Sequence, residues 1–268
     1  MRISGGEHGS LEPPNIISLL HDVFPENLWV HRLVTYENVF FAIFAGVALC
    51  VLFFLGTRKL TEVPGKFQNF LEIVVEGLQD FFVSILGPHG KVFVPFIGTL
   101  FLYIWFMNMS GMVPLLKSST ADLNTTLGLA ICVFAVVQIT ALTRLGPLNY
   151  LDHLAGQPRE PIMYFLAPVL FVLFVLLDVL IPPLTLSLRL FGNITGEDTL
   201  LGAFLNLGTN QLFHPSGILA FIGGPIAFSA TVIFRFLSLL LGTIQALVFS
   251  LLTTIYILMV LPHEEHTQ

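Results

Sequence analysis

From Val39 to Thr57 the chain carries no charged side chain, and similar stretches recur at Val92–Leu116 and Leu123–Thr143. About twenty apolar residues is the length a helix needs to cross a bilayer. Inside the bilayer every backbone N–H and C=O must be satisfied within the protein, which leaves only helices and closed barrels. A transmembrane barrel would alternate polar and apolar residues over segments of about ten, whereas these runs are continuous. The expected fold is therefore an all-α polytopic membrane protein. Only 10% of the 268 residues are charged and 55% are hydrophobic, far from the balance of a soluble domain. Cys50 and Cys132 both fall inside apolar runs and read as small core residues, neither a disulfide nor a redox pair. A formal charge of −6 gives no nucleic-acid signal.

In chain order, residues 1–37 are polar, carry Glu7, Glu12, Asp22, Glu26 and Glu37, and lack the basic-then-apolar pattern of a signal peptide. This segment is expected outside the membrane, with His8, His21 and His31 as solvated side chains at spacings that match no metal motif. Residues 38–60 read as the first spanning helix, closed by the basic anchor Arg58 and Lys59. Over 64–86 the apolar residues Phe67, Phe70, Leu71, Val74, Leu78, Phe81, Phe82 and Ile85 recur at helical spacing, predicting an amphipathic helix along the membrane face. Its polar side is mainly acidic, so a protein partner fits it at least as well as membrane lipid.

A membrane core is expected over 92–262. It begins with a helical hairpin, 92–143, turned at Lys117–Asp122, and a loop follows from Arg144 to Glu160. Residues of about 161–207 form either two spans or one long helix tilted and bent at Pro182 and Pro183. A polar loop from Gly208 to Gly217 leads to a last long helix, 218–261, and a tail, 263–268. With five crossings and the amino terminus outside, Arg58, Lys59, Lys66, Lys91, Arg144 and Arg159 face the cytoplasm against Arg2, Arg32 and Lys117 outside, which obeys the positive-inside bias. The carboxyl terminus is then cytoplasmic.

Within this apolar background LTLSLRLFGNITGEDTLLG, Leu184 to Gly202, places Arg189 inside a span, with Asn193, Glu197 and Asp198 close behind it. A charge at that depth is costly and marks a functional site by default. At about 100° per residue Asn193 lies about 40° from Arg189 and Gly196 about 20°, so another helix can approach the arginine face closely. Asp178 falls on nearly the same face if the prolines keep the register, whereas Asp198 points to the opposite side. A guanidinium does not deprotonate in practice, so it cannot relay protons, but it can force an acid passing before it to ionise and can block leakage between two aqueous half-channels. Buried carboxyl groups hold their protons more tightly and can exchange them near neutral pH. The competing reading pairs Arg189 with Asp178 or Glu197 purely to hold helices together. Asn108 is either channel-lining or an asparagine satisfied by a neighbouring helix.

LSLRLFGNITGED, followed further on by GTIQALVFSLLTTIYI, resembles the membrane-embedded a-subunit family of F-type ATP synthases. The first span, the amphipathic helix, the turn STADLNTT and the two long final helices fit the same family over nearly the whole chain. The resemblance implies a stator that carries ions past a ring of c-subunits, with two tilted helices packed against that ring, peripheral-stalk b subunits as further partners, and no cofactor. Arg189 matches the family's essential arginine, Asn193 the asparagine after it and Gln245 the glutamine on the last helix, while Asp198, with Glu197 beside it, stands where relatives line the outer half-channel. There are departures. Ser238 stands where many relatives have histidine or glutamate, and Val175 where they have an acid whose role Asp178 can take. Arg235 is an additional cation that snorkels to the surface, pairs with Asp198 or Glu197, or tunes the channel.

No phosphate-binding glycine loop with its lysine and no nucleophile arrangement is present, so catalysis is expected on other subunits. A stand-alone secondary transporter is the competing function, but such proteins usually carry an internal repeat of their spans and none is visible. An intramembrane enzyme would need a metal set, and the HisGluGluHis of 263–266 lacks the helical spacing of a zinc site. The coupling ion expected is H⁺ and the location a bacterial inner membrane.

Overall fold

The apolar runs are helices. A computed structural model describes residues 15–25, 27–58, 61, 64–113, 115–146, 169, 172–173, 175–213 and 218–261. The helices are α1 (Ile16–Val23), α2 (Leu28–Thr35), α3 (Glu37–Thr57), α4 (Lys66–Leu86), α5 (Val94–Ser110), α6 (Leu123–Leu145), α7 (Ile181–Phe213) and α8 (Ile218–Val260). Short 3₁₀ turns at Pro88–Phe93 and Ser119–Ala121 and a π turn at Val175–Leu180 complete the elements, and no strand occurs among the described residues. Among the described residues, five helical stretches are long and apolar enough to cross a membrane: Glu37–Thr57, Gly90–Ser110, Leu123–Arg144, Val175–Gly208 and Ser229–Val260. The last two, of 34 and 32 residues, are roughly 50 Å long and exceed a hydrocarbon core of about 30 Å. Helices of that length cross only with tilt or with ends outside the hydrocarbon.

The expected loop at Arg144–Glu160, the tail and the first fourteen residues lie outside the described residues, beyond Arg144, Leu145 and Gly146. Of the 161–207 run, 175–213 is one uninterrupted helical path. Pro182 and Pro183 sit in the first turn of α7, where a missing N–H is tolerated. The helix also continues through Gly208, where a loop was expected: Thr209 to Phe213 contains no proline, and Pro215 comes only afterwards.

Within the amino-terminal segment, α1 and α2 each begin at a capping asparagine. Asn15 caps α1 by accepting from the backbone N–H of Ile17 at 3.0 Å and Ser18 at 2.8 Å, and Ser18 Oγ accepts from the Asn15 N–H at 2.9 Å. This is a reciprocal capping box. Asn27 caps α2 in the same way, through the N–H of Trp29.

The helices contribute to two units. The first comprises Met1–Ala48, Ile104–Asp122 and Phe191–Gln245, and the second Leu49–Tyr103, Leu123–Leu190 and Ala246–Gln268. In the second unit the carboxyl-terminal half of α4 packs through Phe82 and Leu86 onto Val94 and Ile97 of α5 and Ile257 and Leu261 at the end of α8. The apolar stripe of α4 is thus split, because Phe67, Phe70 and Phe81 remain exposed for lipid or a partner. Gly87 closes α4 at a φ of 70°, a conformation that favours glycine.

In the first unit, polar contacts join the start of α1, the start of α3 and the loop after α5. Asn15 Nδ2 donates to Glu37 Oε1 at 2.9 Å, and Lys117 Nζ lies 3.2 Å from the same oxygen. The N–H of Ile16 donates to the carbonyl of Leu115, whose φ of 74° is unusual for a side chain of that size. The loop after α5 is therefore tied to the start of α1.

Candidate functional site

Five of the sequence-predicted residues meet in the first unit. Asn108 of α5, Glu197 and Asp198 of α7, and Arg235 and Ser238 of α8 line one cleft of about 20 Å³. That is room for about one water molecule.

Its α5 wall is fixed by a relay of hydrogen bonds. Asn108 Nδ2 donates to the carbonyl of Gly242 at 2.9 Å, while Asn108 Oδ1 accepts from Thr120 Oγ1 at 2.7 Å. Thr120 in turn is 2.7 Å from Ser118 Oγ. Asn108 is buried and satisfied by a neighbouring helix, the second of the two alternatives posed for it, and it stands in the lining of the cleft. Gly242 permits the approach, since a Cβ there would stand 3.3 Å from Asn108 Cβ and 3.4 Å from Met109 Cε. A second bond along the same seam joins Trp105 Nε1 to Thr243 Oγ1 at 3.1 Å. Nearer the other end of α7, Phe204 stacks on Phe234 of α8 with centroids 4.7 Å apart.

The charged groups of the lining come from α7 and α8. Ser238 and Asp198 stand close enough to the Glu197 carboxylate for the hydroxyl dipole of one and the charge of the other to act on it. Oε1 of Glu197 is buried with no hydrogen-bond partner among the described residues. Arg235 Nη1 donates to the carbonyl of Gly111 at 2.9 Å. This bond ends on backbone, within the cleft that Glu197 and Asp198 also line. Gly111 offers one of the carbonyls that the end of α5 leaves without a helical partner, and a cation is favoured at that end of a helix.

The remaining predicted residues lie elsewhere. Arg189, on α7, belongs to the second unit and is exposed, while its neighbours Leu186, Ser187 and Leu190 are buried. Asn193 and Gln245 belong to the first unit, Asn193 half-buried and Gln245 buried with Nε2 lacking a partner among the described residues. Asp178 falls in the π turn, and its side chain is outside what is described. Sequence reasoning passed over Thr120 and Ser118, which hold Asn108 in place. The only signal for them was a turn of small polar residues, which does not name its partner.

The chain matches the family model described as ATP synthase A chain over residues 39–258. It is 44% identical over 248 residues to a protein named ATP synthase subunit a from Protochlamydia amoebophila, spanning 92% of this chain and 89% of that one. A protein of the same name from Solidesulfovibrio magneticus is 37% identical over 89% of this chain and 87% of its own, and one from Oleidesulfovibrio alaskensis 35% identical over 84% and 85%.

Proposed function

Because the chain belongs to the ATP synthase subunit a family, a non-catalytic membrane subunit of the F-type ATP synthase, we propose that it is the proton-translocating stator facing the c-ring. Two aqueous half-channels meet the ring surface, and Arg189 separates them. The observation that carries this reading is chemical. α7 bears an exposed guanidinium within an apolar span and, further along the same helix, a carboxylate pair in a water-sized polar cleft.

The division of labour follows from the two kinds of group. Glu197 and Asp198, with Ser238 and Asn108 around them, line the outer half-channel that delivers a proton to a ring carboxylate. The neutralised carboxyl group can then enter lipid, whereas its charged form cannot without a large cost. A ring carboxyl group arriving before Arg189 is ionised by the fixed cation and releases its proton to the inner half-channel. Asn193, one turn along α7 from Arg189, supplies an amide dipole to that event, Gln245 matches the family's glutamine on the last helix, and Asp178 is the further acid on the path. Each proton descending the membrane potential contributes about 2.3 kcal/mol per 100 mV, which drives rotation in one direction.

In this reading the amino terminus is outside, the carboxyl terminus is cytoplasmic and the membrane is a bacterial inner membrane. The exposed face of α4 and its acidic side are offered to the peripheral-stalk b subunits. The test is thiol accessibility. After Cys50 and Cys132 are replaced by serine, single cysteines at 197, 198 and 238 in the assembled complex should react with a water-soluble silver or thiosulfonate reagent from the outer side only. No reaction from either side, or equal reaction from both, would contradict the assignment of the cleft to the outer half-channel.

A further inference from the structure

We propose that Arg235 makes the cleft selective for protons over alkali-metal cations. The inference rests on reading the cleft as part of the ion path and adds to that reading the discrimination between ions. Glu197, Asp198, Ser238 and Asn108 bring carboxylate, hydroxyl and amide oxygens to one small space, and oxygen ligands of this kind are what hard cations take. Oε1 of Glu197 is moreover buried and lacks a hydrogen-bond partner among the described residues. Left to these groups alone, the cleft would attract Na⁺.

Arg235 changes that balance in two ways. It brings a permanent positive charge to the lining, and its bond to the Gly111 carbonyl holds that charge in place instead of letting it swing away to the surface. A metal cation entering must approach this charge without losing its own, and a cleft holding about one water gives it no room for a hydration shell. A proton escapes both penalties. Transfer from hydronium to Glu197 breaks an O–H bond in the hydronium, forms one on the carboxylate oxygen and leaves water beside a neutral acid. The fixed cation then faces no second positive charge.

The test uses the whole complex reconstituted in vesicles, with ATP-driven proton pumping measured in choline chloride and in sodium chloride, and uptake of radioactive Na⁺ followed in parallel. The wild type should be indifferent to the exchange. Arg235→Gln should lose that indifference, with pumping slowed severalfold by Na⁺ and restored by choline. Arg235→Lys, which keeps the charge but changes the hydrogen-bonding geometry, should stay indifferent where Arg235→Gln does not, a contrast that a purely structural arginine would not give. Ser238→Asp leaves Arg235 and its Gly111 bond in place yet adds an opposing charge, and it should also become Na⁺-sensitive. This keeps the proposal testable if Arg235→Gln does not assemble. Assembled Arg235→Gln or Ser238→Asp complexes that pump and remain indifferent to Na⁺ would overturn the selectivity role. A Glu197→Gln, Asp198→Asn double variant pumping at the wild-type rate would instead overturn the cleft's place on the path, and with it the proposal.

Discussion

Asn108 on α5 donates to the carbonyl of Gly242 on α8 at 2.9 Å, and this bond sets the wall of the acid cleft. Replacing Asn108 by leucine keeps the approximate volume but removes both of its bonds, while the Thr120 hydroxyl keeps its contact with Ser118 and the Gly242 carbonyl its place within α8. Each hydrogen bond lost is worth about 0.5–1.5 kcal/mol. Asn108→Leu should therefore lower the unfolding temperature of the purified complex and slow proton pumping. Unchanged values for both would mean that the seam is not held by this residue.

Gly242 makes the same contact sterically. A Cβ there stands 3.3 Å from that of Asn108, so alanine needs only a small adjustment, whereas a β-branched side chain must push α5 aside. Overpacking of this kind typically costs about 1–3 kcal/mol. Gly242→Val is expected to reduce assembled complex on native gels severalfold, and Gly242→Ala to be close to wild type. Equal behaviour of the two would remove the close approach as the reason for glycine.

At the amino terminus, Asn15 closes the capping box of α1 and also contacts Glu37. Loss of an N-cap costs about 1 kcal/mol. Asn15→Ala should leave pumping nearly intact while making the segment before α3 more susceptible to added protease, and Asn15→Asp should restore the cap. Identical cleavage rates in all three forms would contradict the cap's role.

Much of this was legible in the sequence, for identifiable reasons. Charge-free runs such as Val39–Thr57 become helices because a bilayer permits little else, and Arg189 stands out because a guanidinium in such a run is so costly. The amphipathic period of Lys66–Leu86 likewise announced α4. Side-chain partnerships were not legible. Which carbonyl Arg235 would find depends on where the α5 turn at Gly111 falls in space, a long-range fact that no local pattern encodes. The continuation of α7 past Gly208 was hidden because glycine and polar residues signal a loop even where neighbouring helical turns carry them through. The short helices α1 and α2 were announced only by Asn15 and Asn27, single capping residues inside a polar segment.

The central claim is that Arg189 separates two half-channels, and one pair of measurements on Arg189→Ala addresses it directly. ATP-driven proton pumping is recorded in vesicles holding the whole complex, and passive proton leak is recorded after the soluble ATPase part has been stripped away. The variant is predicted to abolish pumping while passive conduction survives or rises, since the barrier between the channels is gone but the channels remain. Pumping near the wild-type level would contradict the claim and leave Arg189 as a structural pair-former.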